Sequence, residues 1–167
     1  STAHGHVVTS VPSTAVRPRG IDVAGKDKYA QRMADHLGEP VDAACPITRT
    51  GGTVAQIGGT VGGVVGAGFS SAARSAPSDV TIGQFGWLGV GPERFSLCNA
   101  SFTGKPSGDP LAQVAYTDVT AVGLTEGKIT LRADLDLADG RHVAFEIKRQ
   151  GANKASVPVV ELLRDRC

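Results

Sequence analysis

Residues 131–147 read LRADLDLADGRHVAFEI, in which apolar side chains alternate with polar ones on both sides of Asp139-Gly140. Strict alternation of this kind predicts two β-strands that each bury one face. An Asp-Gly pair between two such runs is typical of a tight turn, so the two strands are expected to form an antiparallel hairpin. The stretch therefore predicts an antiparallel sheet with one apolar face.

The length of the turn decides which residues of this hairpin face each other. A two-residue loop would place Asp134 opposite Phe145 and mix charged with apolar side chains on one face, which a half-buried sheet does not tolerate. A three-residue loop with Gly140 in the left-handed conformation avoids this conflict. We therefore predict the three-residue loop and these cross-strand pairs: Leu131 with Ile147, Ala133 with Phe145, Leu135 with Val143, Arg132 with Glu146 and Asp136 with His142.

The alternation continues on the amino-terminal side of the hairpin. Three consecutive strands are predicted over roughly residues 114–124, 128–138 and 141–149. If Glu126-Gly127 is a two-residue turn, Leu124 faces Ile129 and Val122 faces Leu131. After the third strand, Ser156 to Arg166 carries an apolar stripe, with a candidate N-cap serine and a proline in the first turn, so it predicts a closing helix.

The elements before this meander are less regular. Lys26 to Leu37 predicts a helix that ends at Gly38. Val41 to Thr48 predicts a short strand, and Pro46 within it indicates a sheet edge or a bulge. Two further strands are predicted within residues 79–90 and over 94–98, followed by a Gly/Pro/Ser loop over 102–110.

The longest uncharged run lies between these strands, from Thr50 to Ala73. Three interpretations are open: a linker or small-residue helix packed on the sheet, a face for self-association or a partner subunit, and a membrane segment. The length would span a bilayer, but large apolar residues are few. On a helix, glycines at every fourth position would form one close-packing face; these candidate interaction residues are Gly58, Gly62, Gly66, Gly59 and Gly63.

Glycines in the same run, over residues 66–72, echo a dinucleotide-binding fingerprint. That fingerprint requires a strand–helix–strand unit, whereas the residues that follow here predict hairpins. Nucleotide binding is therefore not expected.

The composition of the chain narrows the classes of protein to which it can belong. The chain has 167 residues, enough for one domain with a buried core, and its 17 basic and 16 acidic side chains give no global field that would attract nucleic acid. Three widely spaced cysteines fit a reducing compartment better than a disulfide framework, so we expect a cytoplasmic protein, with membrane association left open. Scattered histidines and the lack of a CxxC motif predict no metal and no cofactor.

We predict four parts along the chain. In order, these are a disordered or loosely docked tail over residues 1–20, a helix and an edge strand over 21–49, the uncharged Gly/Ala-rich segment over 50–78, and an antiparallel domain over 79–167.

Part of the chain resembles a known family. The segments that carry the likeness are WLGVGPERF at residues 87–95, KPSGDPL at 105–111, YTDVT at 116–120, ADGR at 138–141 and VELL at 160–163. Together with a meander that ends in one helix, they resemble bacterial PH-like domains of actinobacterial proteins. The resemblance implies an α+β fold, with a PH-like bent antiparallel sheet or barrel closed by the carboxyl-terminal helix. It also implies a binding or scaffolding role, with no catalytic residue and no lipid-binding signature.

Several side chains are candidates for contact with a partner. Trp87 is either a core anchor, which its apolar neighbours favour, or part of a partner surface. His142 beside Asp136 forms a candidate acid–base pair, but the sequence places no nucleophile near it, which favours an ordinary surface pair. The basic residues form a candidate surface for phosphate or anionic lipid, although interleaved carboxylates favour a solvated face; they are Lys105, Lys128, Arg132, Lys148 and Arg149.

These observations predict a non-enzymatic protein-interaction domain or accessory subunit. It would bind a protein partner or a second copy of itself. The alternative is a peripheral membrane protein that uses the Gly-rich segment and the basic strand residues. A small-molecule ligand is neither indicated nor excluded.

Overall fold

The computed structural model describes residues 24–50, 77–149 and 155–167, with side chains of the first helix described from Lys28 onward. Within these residues the chain forms the following elements in order: helix α1 (Ala24–Leu37), strands β1 (Ala43–Thr48), β2 (Phe85–Val90), β3 (Arg94–Ala100) and β4 (Pro106–Ala115), a 3-10 turn (Tyr116–Asp118), strands β5 (Val119–Glu126), β6 (Thr130–Leu137) and β7 (His142–Lys148), and helix α2 (Val157–Arg166).

The strands form one antiparallel sheet in the order β4-β3-β2-β1-β7-β6-β5. The order is linear, so the sheet is open and has two edges, β4 and β5. The predicted α+β class and the antiparallel arrangement are confirmed, and of the two predicted forms the structure shows the open sheet rather than the closed barrel.

The register of the β6–β7 hairpin is confirmed at every predicted pair. Leu135 lies opposite Val143, and the other predicted pairs match as well. Leu137 N–H donates to Arg141 C=O at 2.9 Å across a loop of three residues. Gly140 in this loop has φ of 85°, the left-handed conformation that favours glycine.

The predicted register between β5 and β6 is wrong. Leu124 pairs with Ala133, four residues beyond the predicted partner Ile129. The turn lies two residues further along the chain than predicted, since Gly127 N–H donates to Thr130 C=O at 2.8 Å and places Lys128-Ile129 at the centre of the turn. Because the shift is even, Val122 and Leu124 keep the same face, and the hydrophobic pattern alone does not distinguish the two registers.

Two further expectations require correction. The predicted loop over 102–110 is shorter, because β4 begins at Pro106. β1 lies in the middle of the strand order and not at an edge. Its ladder with β7 consists of one pair, Thr48 with Glu146. The side of β1 that faces β7 therefore makes few backbone hydrogen bonds, and a proline without an N–H is accommodated at position 46.

Two apolar clusters lie on opposite faces of the sheet. The larger one combines the inner face of the strands with α2, and its largest fully buried side chains include Phe95, Phe145 and Leu163. The smaller one lies between α1 and the opposite face of β1–β3, and is built from Met33, Ala44, Trp87 and Cys98.

Contacts at the carboxyl end of α2 attach this helix to the sheet. Arg166 pairs with Asp42 at 2.8 Å, and its guanidinium also donates to Gly91 C=O. The Tyr116 hydroxyl donates to the same carbonyl at 2.6 Å. The helix that closes the inner core is thereby held at the end of the sheet where β2 turns into β3.

Candidate functional site

One rim of the sheet gathers most of the predicted basic residues. Register pairs place the ends of β1, β3, β5 and β7 beside the starts of β2, β4 and β6. We call this end of the sheet the basic rim, defined by the cations that follow or precede these strand ends: Arg49, Lys105, Lys128, Lys148 and Arg149. Glu126 also lies here and pairs with Arg149 at 3.1 Å.

The same rim carries the exposed large apolar side chains of the described residues. Phe102 is fully exposed at the tip of the β3–β4 loop, and Phe85 at the start of β2 is 46% exposed. Both line a groove of about 590 Å³, together with Gly83, Gln84, Asn99, Ala100 and Ser101. Single exposed apolar residues are common on protein surfaces, but two phenylalanines that line one groove form an apolar patch, so the groove is the candidate interaction site.

Local hydrogen bonds shape the loop that presents Phe102. Ser101 N–H donates to Lys105 C=O at 2.7 Å, and Gly104 N–H donates to Ser101 C=O at 2.8 Å. Gly104 adopts φ of 76°, which a residue without Cβ accommodates without strain. The turn therefore holds Lys105 beside the groove that Phe102 borders.

The other predicted contact residues lie elsewhere. Trp87 is 3% exposed and its ring nitrogen donates to Gly104 C=O at 3.1 Å, so it is a core anchor and not a partner surface. Arg132 lies on the outer face of β6, two residues after the first residue of that strand, in a bidentate contact with Asp134 at 2.9 Å. The five candidate glycines of the run over 50–73 lie outside the described residues.

A charged cluster occupies the outer face of β6 and β7. His142 Nδ1 lies 2.7 Å from Asp136 and Nε2 lies 3.1 Å from Asp134, whose carboxylate also accepts from Arg132. The backbone N–H of His142 donates to the Asp79 carboxylate at 2.7 Å. The predicted contact between His142 and Asp136 is therefore present, and both ring nitrogens are engaged by carboxylates.

These contacts shift two pKa values in opposite directions. The hydrogen bond with Asp136 raises the pKa of His142 above its usual 6.5, against the opposing effect of burial and with a further contribution from Asp134. Burial alone would raise the pKa of Asp134, but Arg132 and His142 outweigh it and hold that pKa below its usual value. The cluster thus favours a protonated imidazole between two carboxylates.

We expect the His142 cluster to make stability depend on pH. A histidine whose folded pKa is raised stabilises the fold fully below its unfolded pKa, and this contribution disappears as pH rises through the folded pKa. The midpoint of urea unfolding should therefore fall as pH increases above about 6.5, and His142→Gln should remove that slope. The matched control is His36→Gln on α1, which leaves the cluster intact; loss of the slope in this control as well would contradict the assignment.

The thiols of the two buried cysteines are poorly ionised. Burial raises the pKa of Cys45 to about 12, although a hydrogen bond with Ser156 opposes the shift. Burial, with the charge of Glu39, raises the pKa of Cys98 to about 11. Cys98 is completely buried. Neither thiol provides a thiolate near neutral pH.

Two other kinds of site are absent from the part of the chain that the structure describes. Within the described ranges, no group of three His, Cys, Asp or Glu side chains is placed to hold a metal ion. No helix of residues 24–50, 77–149 or 155–167 has the length and apolarity needed to cross a bilayer.

No family model matches the chain, and a search of curated proteins finds no match.

Sequence reasoning missed the two phenylalanines that border the groove. Phe85 belongs to an apolar run that predicts a buried strand, and Phe102 opens a segment that predicts an ordinary loop. An aromatic residue beside a Gly/Pro/Ser loop was the one available signal. Their exposure depends on how the start of β2 lies beside the end of β3, and this arrangement is known only from the tertiary structure.

Proposed function

We propose that this chain is a non-enzymatic binding domain that works as an accessory subunit and docks a protein partner on the groove between Phe85 and Phe102. The observation that carries the proposal is the full exposure of Phe102 beside a second, partly exposed phenylalanine across one groove. Aromatic side chains of this kind supply most of the energy of many protein interfaces.

The polar lining of the groove favours a peptide segment as the occupant. Gln84, Asn99 and Ser101 place amide and hydroxyl groups between the two phenylalanines. Such groups provide hydrogen bonds to a peptide backbone, while the rings bury apolar side chains of the partner. The Asn99 side chain already accepts from Gly83 N–H at 2.8 Å, and its amide group keeps donors for a ligand.

The charge of the basic rim favours an acidic partner. Lys105, next to the groove, is exposed, and so are Arg49 and Lys128 further along the rim. Cations gathered at one end of the sheet steer negatively charged segments towards it, even though the whole chain is nearly neutral. The partner segment we expect therefore combines acidic residues with aromatic or aliphatic ones.

Two observations support the non-enzymatic part of the proposal. The imidazole of His142 is held at both nitrogens by carboxylates, which leaves it poorly placed to exchange protons with a substrate. The buried thiols of Cys45 and Cys98 have pKa values raised by burial, so neither resembles an activated nucleophile.

We also propose that the domain is PH-like. The support is an open antiparallel sheet whose meander β5–β7 is followed by one helix that packs on the inner face. Helix α1, which covers the opposite face of β1–β3, is an addition to that plan. A likeness of this kind fits a binding role and carries no ligand with it.

The groove is tested with peptides selected from a random displayed library against the full chain. We expect the selected peptides to be enriched in acidic and aromatic residues, and Phe102→Ala to weaken their binding by roughly tenfold or more. Lys105→Ala should weaken binding less, and mainly at low salt. Fluorescence anisotropy of labelled peptides measures both effects.

The matched control for charge is Arg164→Ala, which removes an exposed cation near the carboxyl end of α2, at the end of the sheet opposite the rim. This control should bind as the wild type does. Equal affinities for wild type and Phe102→Ala, or equal losses for Arg164→Ala and Lys105→Ala, would contradict the proposal.

A second candidate function is attachment to an anionic membrane surface, favoured by the position of Phe102 at a loop tip next to Lys105. An aromatic tip inserts into the headgroup region while nearby cations meet anionic lipids. Flotation with vesicles of phosphatidylcholine, alone or mixed with phosphatidylserine, tests this candidate. Flotation at low salt that needs phosphatidylserine and Phe102 would favour it over the protein partner.

A further inference from the structure

We propose a second interaction surface, independent of the groove: the free edge of β5 pairs with β5 of a second copy of this chain and forms a symmetric dimer. β5 is the last strand of the order, and no strand of the described residues pairs with its outer side. Over its eight residues it carries one charged side chain, Glu126, and no proline or lysine. A bulge between Val119 and Ala121 interrupts the start of the strand, but residues 121–126 form a regular ladder with β6 and lack the prolines and lysines that normally protect an edge against pairing.

The other edge of the sheet, strand β4, is protected against pairing with another strand, in contrast to β5. β4 contains Pro106 and Pro110, which lack the N–H that a new strand would need. His36 of α1 binds the carbonyl of Gly108 at 2.9 Å, and Gly108 adopts φ of 70°, which breaks the extended edge. Since β5 is the one edge open to pairing among the described strands, association closes at two copies and does not continue into a filament.

The direction of the backbone groups on β5 follows from the ladders. Leu137 N–H donates to Arg141 C=O, so the odd-numbered residues of β6 point towards β7 and the even-numbered ones towards β5. Gly123, opposite Asp134, therefore points its backbone groups at β6. Val122 and Leu124 point theirs outward, to the free edge.

One register joins two such edges without conflict. With Gly123 opposite its own copy at the two-fold axis, Val122 of each strand exchanges backbone hydrogen bonds with Leu124 of the other. The half-buried side chains of these two residues then meet on the inner face, and Glu126 faces Thr120. A shift by one pair would place Glu126 opposite Val122 and a charge against an apolar side chain, which is less favourable.

Glycine suits the position on the axis. Residues opposite each other in a non-hydrogen-bonded antiparallel pair approach most closely, at about 4.5 Å between Cα atoms. Within one copy, a Cβ at Gly123 would meet nothing nearer than Asp134 atoms at 3.8 Å, which is ordinary contact. Side chains at this position are therefore tolerated by the monomer, and their effect on association can be measured separately.

Sedimentation velocity of the full chain over a wide range of concentration tests the dimer. Wild type should shift from monomer to dimer as concentration rises. Gly123→Lys should stay monomeric, because two lysines would face each other across the axis, while each finds Asp134 in its own copy. The matched control is Ala121→Lys, which lies opposite Asp136 and meets Thr125 rather than its own copy, and should still dimerise.

Cysteine cross-linking tests the register, and circular dichroism checks that every variant folds. In a Cys167→Ser background, Gly123→Cys should form a covalent dimer with glutathione disulfide, since the paired Cα distance suits a disulfide. Ala121→Cys should not, because its two copies lie about 14 Å apart along the strands. Wild type that stays monomeric at every concentration, Gly123→Lys that dimerises, or equal cross-linking at both positions would overturn the proposal.

Discussion

Replacement of Phe145 by alanine should cost about 3–5 kcal/mol in the free energy of unfolding. Phe145 is completely buried in the larger apolar cluster, on the strand that links the two halves of the sheet through β1. Its loss removes a large apolar surface from the core and leaves a cavity that neighbouring strands fill only in part. Urea unfolding followed by circular dichroism measures the change.

Phe102→Ala is the matched control, since the same atoms are removed from a fully exposed side chain. This variant should unfold within about 0.5 kcal/mol of wild type, as surface substitutions usually do. Similar losses for Phe145→Ala and Phe102→Ala would contradict the assignment of one to the core and the other to a binding surface. The pair therefore separates stability from function with one type of substitution.

Gly86→Val should be the second most damaging change, at about 2–3 kcal/mol. A Cβ at Gly86 would lie 2.7 Å from the carbonyl oxygen of Cys98 and 2.8 Å from a methyl group of Ile82. The carbonyl belongs to the neighbouring strand, so relief requires β2 and β3 to move apart. The midpoint of thermal or urea unfolding measures the loss.

Gly123→Val is the control for this second prediction. Its Cβ would meet Asp134 atoms at 3.8 Å, an ordinary contact, and valine suits an extended strand. We expect unfolding close to wild type at low protein concentration. A larger loss at position 123 than at position 86 would show that β2 and β3 are not packed as described.

The strand registers of the meander β5–β7 could be predicted only in part from the sequence. The β6–β7 register was predictable because a period of two and the turn at Gly140 act together, and a two-residue loop would have mixed polar with apolar side chains. The β5–β6 register was not, because a shift of four residues leaves Val122 and Leu124 on the same face. The position of the turn there depends on contacts of Gly127 and Thr130 that the apolar pattern does not encode.

The candidate site was only partly predictable. Basic residues such as Lys105 and Lys148 were recognised as a class, but their common rim depends on the order of strands from β4 to β7. Nothing in the local sequence predicts that β1, near the amino end, joins β7, near the carboxyl end. Burial of Trp87 likewise follows from where α1 packs on the sheet.

Amide chemical shifts of the isotope-labelled full chain locate the binding surface and so test whether a partner occupies the groove between Phe85 and Phe102. On titration with a selected acidic–aromatic peptide, we expect perturbations concentrated at residues 83–85 and 99–105, in and next to the groove lining. Perturbations centred instead on the opposite end of the sheet, around Glu39 and Gly91–Arg94, with residues 99–105 unchanged, would contradict it.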